Sequence, residues 1–181
     1  AKVREIGGTP EKLAQAETLR GSTGLTNYEK SYKVAVTADD ELVSRQILDN
    51  KYGKAAIKEA EEALKIKGIE PEDVLKPNNV TRFLHRVKLS LDDQVSGIAE
   101  SPLGRTQKVE ATKVKNNLVK WLEDKNPDYK KARTTFRDQS IPIDQMRVGQ
   151  LLESKLTAPL EGKERAAAFA NALRDAPATL K

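Results

Sequence analysis

The stretch Asn79-Val80-Thr81-Arg82-Phe83-Leu84-His85-Arg86-Val87-Lys88-Leu89-Ser90-Leu91-Asp92-Asp93-Gln94-Val95 decides how the chain folds. Val80, Phe83, Leu84, Val87, Leu91 and Val95, then Ile98, recur at steps of three and four residues. Such steps keep one face of an α-helix apolar for about five turns. A strand would need alternation by two instead.

The same rhythm runs outward on both sides. Downstream, Ser101-Pro102 starts a helix whose inner side carries Val114, Leu118, Trp121 and Leu122, with Gly104 in its first turn. Asn126-Pro127-Asp128 is a stop-and-restart signal, because Asn caps a helix and Pro suits its first position. Tyr129, Ala132 and Phe136 follow. Ser140-Ile141-Pro142 punctuates again before Ile143, Met146, Leu152 and Leu156. Ala166, Phe169, Ala170 and Leu173 give the last stripe, which Pro177 ends.

Upstream, Thr9-Pro10-Glu11 opens a helix with Leu13, Ala16 and Leu19, and Gly21 through Gly24 breaks it. Tyr28, Tyr32 and Val36 are spaced for a short helix over 26–35, with Val34-Ala35-Val36 as an alternative strand. Thr37-Ala38-Asp39-Asp40 resembles a capping box before Val43 and Ile47. Ile57, Ala60 and Leu64 stripe a helix from Lys54 to Lys67, which Gly68 stops. The connection Ile69 to Pro77 sets the internal boundary: a small N-terminal helical unit, 1–77, and a helical bundle, 78–181.

Composition agrees with helices. The apolar share is 38% and the charged share 33%, where soluble domains average about 45–50% and about 25%. Three Phe, four Tyr and one Trp leave aliphatic stripes to do most of the burying. The expected fold class is all-α, an elongated multi-helix array or bundle with short Pro- and Gly-punctuated connections. No Cys is present, which excludes disulfides and thiolate metal sites. No apolar run reaches the length of a membrane-spanning helix.

Few residues point to chemistry. His85 is the sole histidine, at the edge of an apolar stripe, and reads as a boundary side chain bonding a neighbour. Asp92 and Asp93 point about 100° apart on a helix and cannot share one small site; a lysine-paired face is the plainer account. Asp39-Asp40-Glu41 suits a helix N-terminus. Gly7-Gly8-Thr9 and Gly21-Ser22-Thr23-Gly24 lack the phosphate-loop pattern and read as flexible breaks. No catalytic, metal or cofactor-binding residue is expected.

The suggestive constellation is basic, in a chain of net charge +5. Lys108, Lys113, Lys115 and Lys120 precede Asn126, and Lys130, Lys131, Arg133 and Arg137 follow it on the next helix. Two cation-rich helices could hold a phosphate backbone or a partner without reading sequence. A polar outer face short of acids accounts for the same residues. Trp121 keeps step with Leu118 and Leu122 and belongs to the core.

From residue 78 onward the sequence carries more than periodicity. Phe83-Leu84-His85-Arg86-Val87-Lys88 is followed by Leu91-Asp92-Asp93, then by Pro127-Asp128-Tyr129-Lys130-Lys131-Ala132-Arg133 and Phe136. Ser140-Ile141-Pro142-Ile143, Met146, Val148-Gly149 and the run from Ala167 to Pro177 come next. This order resembles helical segments of large tailed-bacteriophage virion proteins, internal core or ejection proteins, found also in large polyvalent phage proteins. The resemblance covers about residues 78–181. It implies a non-enzymatic structural protein of the head–tail conduit that assembles with copies of itself and with portal, tail or core proteins and helps genome delivery. Contact with genomic DNA would be non-specific, and membrane contact after ejection is left open. The place implied is the virion, then the host periplasm or envelope. The segment would belong to a longer polypeptide, as the start without Met and the end straight after Ala178-Thr179-Leu180 also suggest. The alternative is a helical DNA-binding or DNA-organising module with no virion role.

Overall fold

The computed structural model describes residues 6–74, 76–97, 103–157 and 162–174. These residues form α1 (Pro10–Tyr32), α2 (Ala38–Leu48), α3 (Lys51–Lys65), a 3-10 turn (Pro71–Asp73), α4 (Pro77–Ser96), α5 (Arg105–Lys125), α6 (Pro127–Thr157) and α7 (Gly162–Arg174). No strand occurs among the described residues, and the fold is all-α. Ile98, the Ser101-Pro102 start, the Leu173 side chain and the stop at Pro177 lie outside the described residues.

Local chemistry sets the helix ends. Thr37 Oγ accepts the Asp40 N–H at 3.3 Å and donates to the Asp40 carboxylate at 2.8 Å, so the expected cap before α2 forms. Asn50 Oδ1 accepts from the Tyr52 and Gly53 amides at 3.1 and 3.0 Å and starts α3 three residues earlier than expected. After α3, Gly68 takes φ +76°. The Ile69 amide then reaches back to Leu64 O and the Gly68 amide to Lys65 O. This paired closure needs a left-handed residue, which glycine supplies without a Cβ clash.

Two compact units divide the chain: residues 27–132 form one, and residues 1–26 with 133–181 form the other. Helices α1 and α6 each contribute residues to both. The connection at Ile69–Pro77 lies inside the first of these units rather than between them. Its core draws from both sides of that connection: Leu48, Tyr52, Ala56, Ala60 and Leu64 upstream, and Val80, Phe83, Leu84, Val87 and Leu91 downstream. Ala111, Leu118, Trp121 and Leu122 of α5 complete it. Within this unit α4 packs between α3 and α5, and α2 lies on α5. Burying one such aliphatic side chain is worth about 1.5–3 kcal/mol, and Val87, Leu91 and Leu118 are fully buried.

In the other unit, Ile143, Leu152 and Ala172 are buried. Gly7 and Gly149 lie backbone against backbone: a Cβ on Gly149 would meet Gly7 Cα and N at 2.5 Å. Gln150 Nε2 donates to Gly7 O at 3.1 Å across the same contact. Arg147 reaches Glu17 Oε1 at 2.5 and 3.1 Å.

Several sequence expectations give way here, each to tertiary packing. Gly21 through Gly24 do not break α1. Gly24 is buried facing Phe136, where a Cβ would sit 3.0 Å from the ring, and the Ser22 and Thr26 hydroxyls bond carbonyls of the preceding turn. Gly7 is likewise a packed residue rather than a flexible break. Val34–Val36 form no strand; the Val36 amide instead donates to Pro77 O at 3.3 Å. Ser140-Ile141-Pro142 does not interrupt α6, although an internal proline removes a hydrogen bond and costs about 3 kcal/mol. The burial of Ile143 and the bond from Arg20 to Ser140 Oγ at 3.2 Å hold that part of α6 in place.

Gly104 is the cap of α5, with extended backbone, not a first-turn residue. Its amide donates to Gln107 Oε1 at 3.0 Å. Leu19 and Val43 face outward. In α7 the inward stripe is Arg165, Ala168, Phe169 and Ala172, one position out of step with Ala166 and Ala170, which are exposed.

Candidate functional site

The most organised cluster lies where the end of α1 meets α4 and the start of α6, all within residues 27–132. Asn126 stands between α5 and α6 and is buried. Its amide closes α5 on Leu122 O at 2.9 Å, and its carbonyl accepts the Lys130 amide at 3.1 Å. Its side-chain oxygen accepts the Tyr129 amide at 3.0 Å, and its Nδ2 donates to Ser31 O at 2.9 Å and Thr81 Oγ at 3.3 Å. A buried amide with every group matched rigidifies a junction, whereas a half-matched one would destabilise it.

Beside it sits an aromatic group. His85 Nδ1 is 3.0 Å from Tyr129 Oη. The imidazole lies 4.5 Å, centroid to centroid, from Tyr28 and 5.8 Å from Tyr32. Arg82 covers the Tyr32 ring at 4.8 Å and pairs with Glu29 at 2.6 Å. Burial, then the Tyr28 phenol and the Glu29 carboxylate, push the Tyr32 hydroxyl well above the ordinary phenol range, outweighing Arg82 and Arg86. Tyr32 therefore stays a neutral phenol. The cluster is a set of rings filling space, with the His85–Tyr129 hydrogen bond fixing their register. It acts as a joint between helices.

Asp92 forms a second junction. Its carboxylate pairs with Lys88 one turn back on α4 and with Lys115 of α5 at 3.0 Å. Burial alone would raise its pKa, but the hydrogen bonds and charges of the two lysines together hold it below the usual carboxylate range. Asp40 is similarly lowered by hydrogen bonds from Lys125, at 2.7 Å, and from Thr37. Both acids clamp neighbouring helices to α5. Among the described residues no group of three acids or histidines is placed to hold a metal ion.

A cleft of about 290 Å³ opens between α2, α3, the 3-10 turn and α4. Leu48, Val74, Val80, Phe83 and Leu84 floor it, and Glu41, Arg45 and Glu61 stand among its polar lining. Arg45 is held by Glu41 on its own helix, and the Ser44 hydroxyl donates to Glu41 O at 2.7 Å. This geometry can accept a small apolar group and offers no activated nucleophile.

The eight basic residues singled out in the sequence do not share one environment. Lys108, Lys113, Lys115 and Lys120 lie on α5, and Lys130 and Lys131 belong to the same unit, whereas Arg133 and Arg137 belong to the other. Lys115 is engaged by Asp92, and Arg137 bonds the adjacent Asp138 at 3.1 Å. Lys113, Lys120, Lys130 and Lys131 are exposed. Arg105, which sequence reasoning passed over, lines an open groove with Leu103, Lys108, Val109, Thr112 and Lys113. The signal that could have found it is its spacing: it shares a helical face with Lys108 and Thr112.

No described helix is long and apolar enough to cross a membrane. No protein-family model, curated protein or solved structure is significantly similar to the chain.

Proposed function

We propose that this chain is a non-enzymatic structural segment of a tailed-bacteriophage virion protein, an internal or ejected component of the head–tail conduit. It would assemble there with copies of itself and with portal, tail or core proteins, and help deliver the genome. The observation that carries this reading is where the residues of the phage resemblance sit. His85 and Tyr129, from two separate motif strings, bond each other. Asp92 of the first string clamps α5, and Ala132 and Ile143 of the later ones are fully buried. Gly149 packs on the Gly7 backbone. These residues hold one helix against another, and such a pattern suits a packed scaffold. Function then belongs to the surfaces the scaffold presents.

In-frame removal of this segment from the phage gene encoding it tests the reading. Particles that assemble and attach but fail to transfer their genome are the expected result. Full infectivity without the segment would refute it. A second reading, a DNA-organising module without a virion role, is supported by the exposed cations of α5.

A further inference from the structure

We propose that the outer face of α5, from Arg105 to Lys120, is a track for the phosphate backbone of nucleic acid. This deepens the genome contact of the proposed function and rests on that reading only for which nucleic acid is met in the particle. The buried side of α5 carries Ala111, Leu118, Trp121 and Leu122. Arg105, Lys113 and Lys120 are exposed on the other side, and Lys108 is half-buried beside them. Among the described residues none of these four cations is held in an ion pair.

The acids of α5 are few. Glu110, exposed one turn before Lys113, accepts the Tyr52 hydroxyl of α3 at 2.8 Å, and Glu123 and Asp124 lie one turn beyond Lys120, at the end of the row. Between Arg105 and Lys120 the exposed side therefore holds the cations with Val109, Thr112 and Asn116, and its one carboxylate, Glu110, is engaged by α3. Arg105, Lys113 and Lys120 recur about every two turns, roughly 11 Å apart along a rigid axis. A single small anion needs converging cations; a row suits an extended polyanion. A membrane surface would need a continuous apolar row for insertion, and Val109 is the one exposed large apolar residue of α5. The row neutralises phosphates and reads no base edges, so binding is independent of sequence.

The interaction is measured by fluorescence anisotropy, titrating the full chain into a labelled duplex of arbitrary sequence at 50 and 200 mM salt. Four phosphate contacts predict about a 150-fold loss of affinity between those salts, and two predict about 12-fold. The variant Lys113→Gln with Lys120→Gln is expected to bind more weakly and to show the smaller salt effect, while its circular dichroism melt matches the parent. Lys58→Gln with Lys65→Gln, exposed on α3, is expected to leave both unchanged. No binding at 50 mM salt, an unaltered salt effect in the α5 variant, or an equal loss in the α3 variant would overturn the track. Loss of infectivity on removing the segment, together with a chain that binds no duplex, would discard the track and leave the virion reading standing.

Discussion

The imidazole Nδ1 of His85, on α4, lies 3.0 Å from the phenolic oxygen of Tyr129, on α6. Both side chains are buried, and they come from sequence strings more than forty residues apart. Removing the hydroxyl in Tyr129→Phe leaves the ring packing in place and strips His85 of this partner. A loss of about 1–2 kcal/mol is expected, since a buried hydrogen bond between the two helices disappears. Urea unfolding followed by circular dichroism measures it; an unchanged midpoint would show that this bond does not hold the junction.

Asn126 is expected to be more sensitive. Asn126→Ala removes a helix cap and two donations to Ser31 and Thr81, for a cost of about 2–4 kcal/mol. Asn126→Asp keeps the acceptor that caps α6 but turns the donor into an oxygen facing the Ser31 carbonyl. That variant should unfold at least as easily as the alanine one in thermal melts near neutral pH. Parent-like stability in Asn126→Asp would mean the donations are immaterial.

Asp92 gives the fold an acid dependence. Its folded pKa lies below the unfolded value of 3.8 because Lys88 and Lys115 outweigh burial. A depressed carboxylate contributes stability that is present above the unfolded pKa and lost as pH falls through the folded one. Asp92→Asn is therefore expected to destabilise the chain at pH 7 and to converge toward the parent as pH falls below the ordinary carboxylate range. Urea midpoints followed from pH 7 into acid read this; a gap that stays constant would exclude the ion pairs as its cause.

The glycines separate packing from propensity. Gly21 has open space where a methyl group would project, so Gly21→Ala should stabilise α1 by about 0.5–1 kcal/mol. Gly149→Ala would drive a Cβ into the Gly7 backbone and is expected to cost about 1–3 kcal/mol through overpacking. Differential scanning calorimetry of the pair should move the melting temperature in opposite directions. Shifts of the same sign would contradict the close approach of Gly7 and Gly149.

Periodicity made the helices legible, and best where a stripe was long. The faces of α4 and of α5 around Trp121 could be read directly, because burial at steps of three and four leaves one helical register open. Asn126-Pro127 was legible because capping is local chemistry. Punctuation misled where it met tertiary contacts: Gly24 beside Phe136 and Pro142 beside the buried Ile143 both lie inside continuous helices. The weak stripe of α7, rich in alanine, allowed a one-residue error. Of the basic surface, residue types were legible and engagement was not, since Lys115 meets an acid from another helix.

The proposed virion role is tested most directly by mass spectrometry of purified particles. Full particles of the phage proposed to carry this chain, and the same particles after genome release, would be digested and compared. The account predicts peptides from residues 78–174 in full particles and their depletion once the genome has left. Purified infectious particles that contain none of these peptides would contradict it.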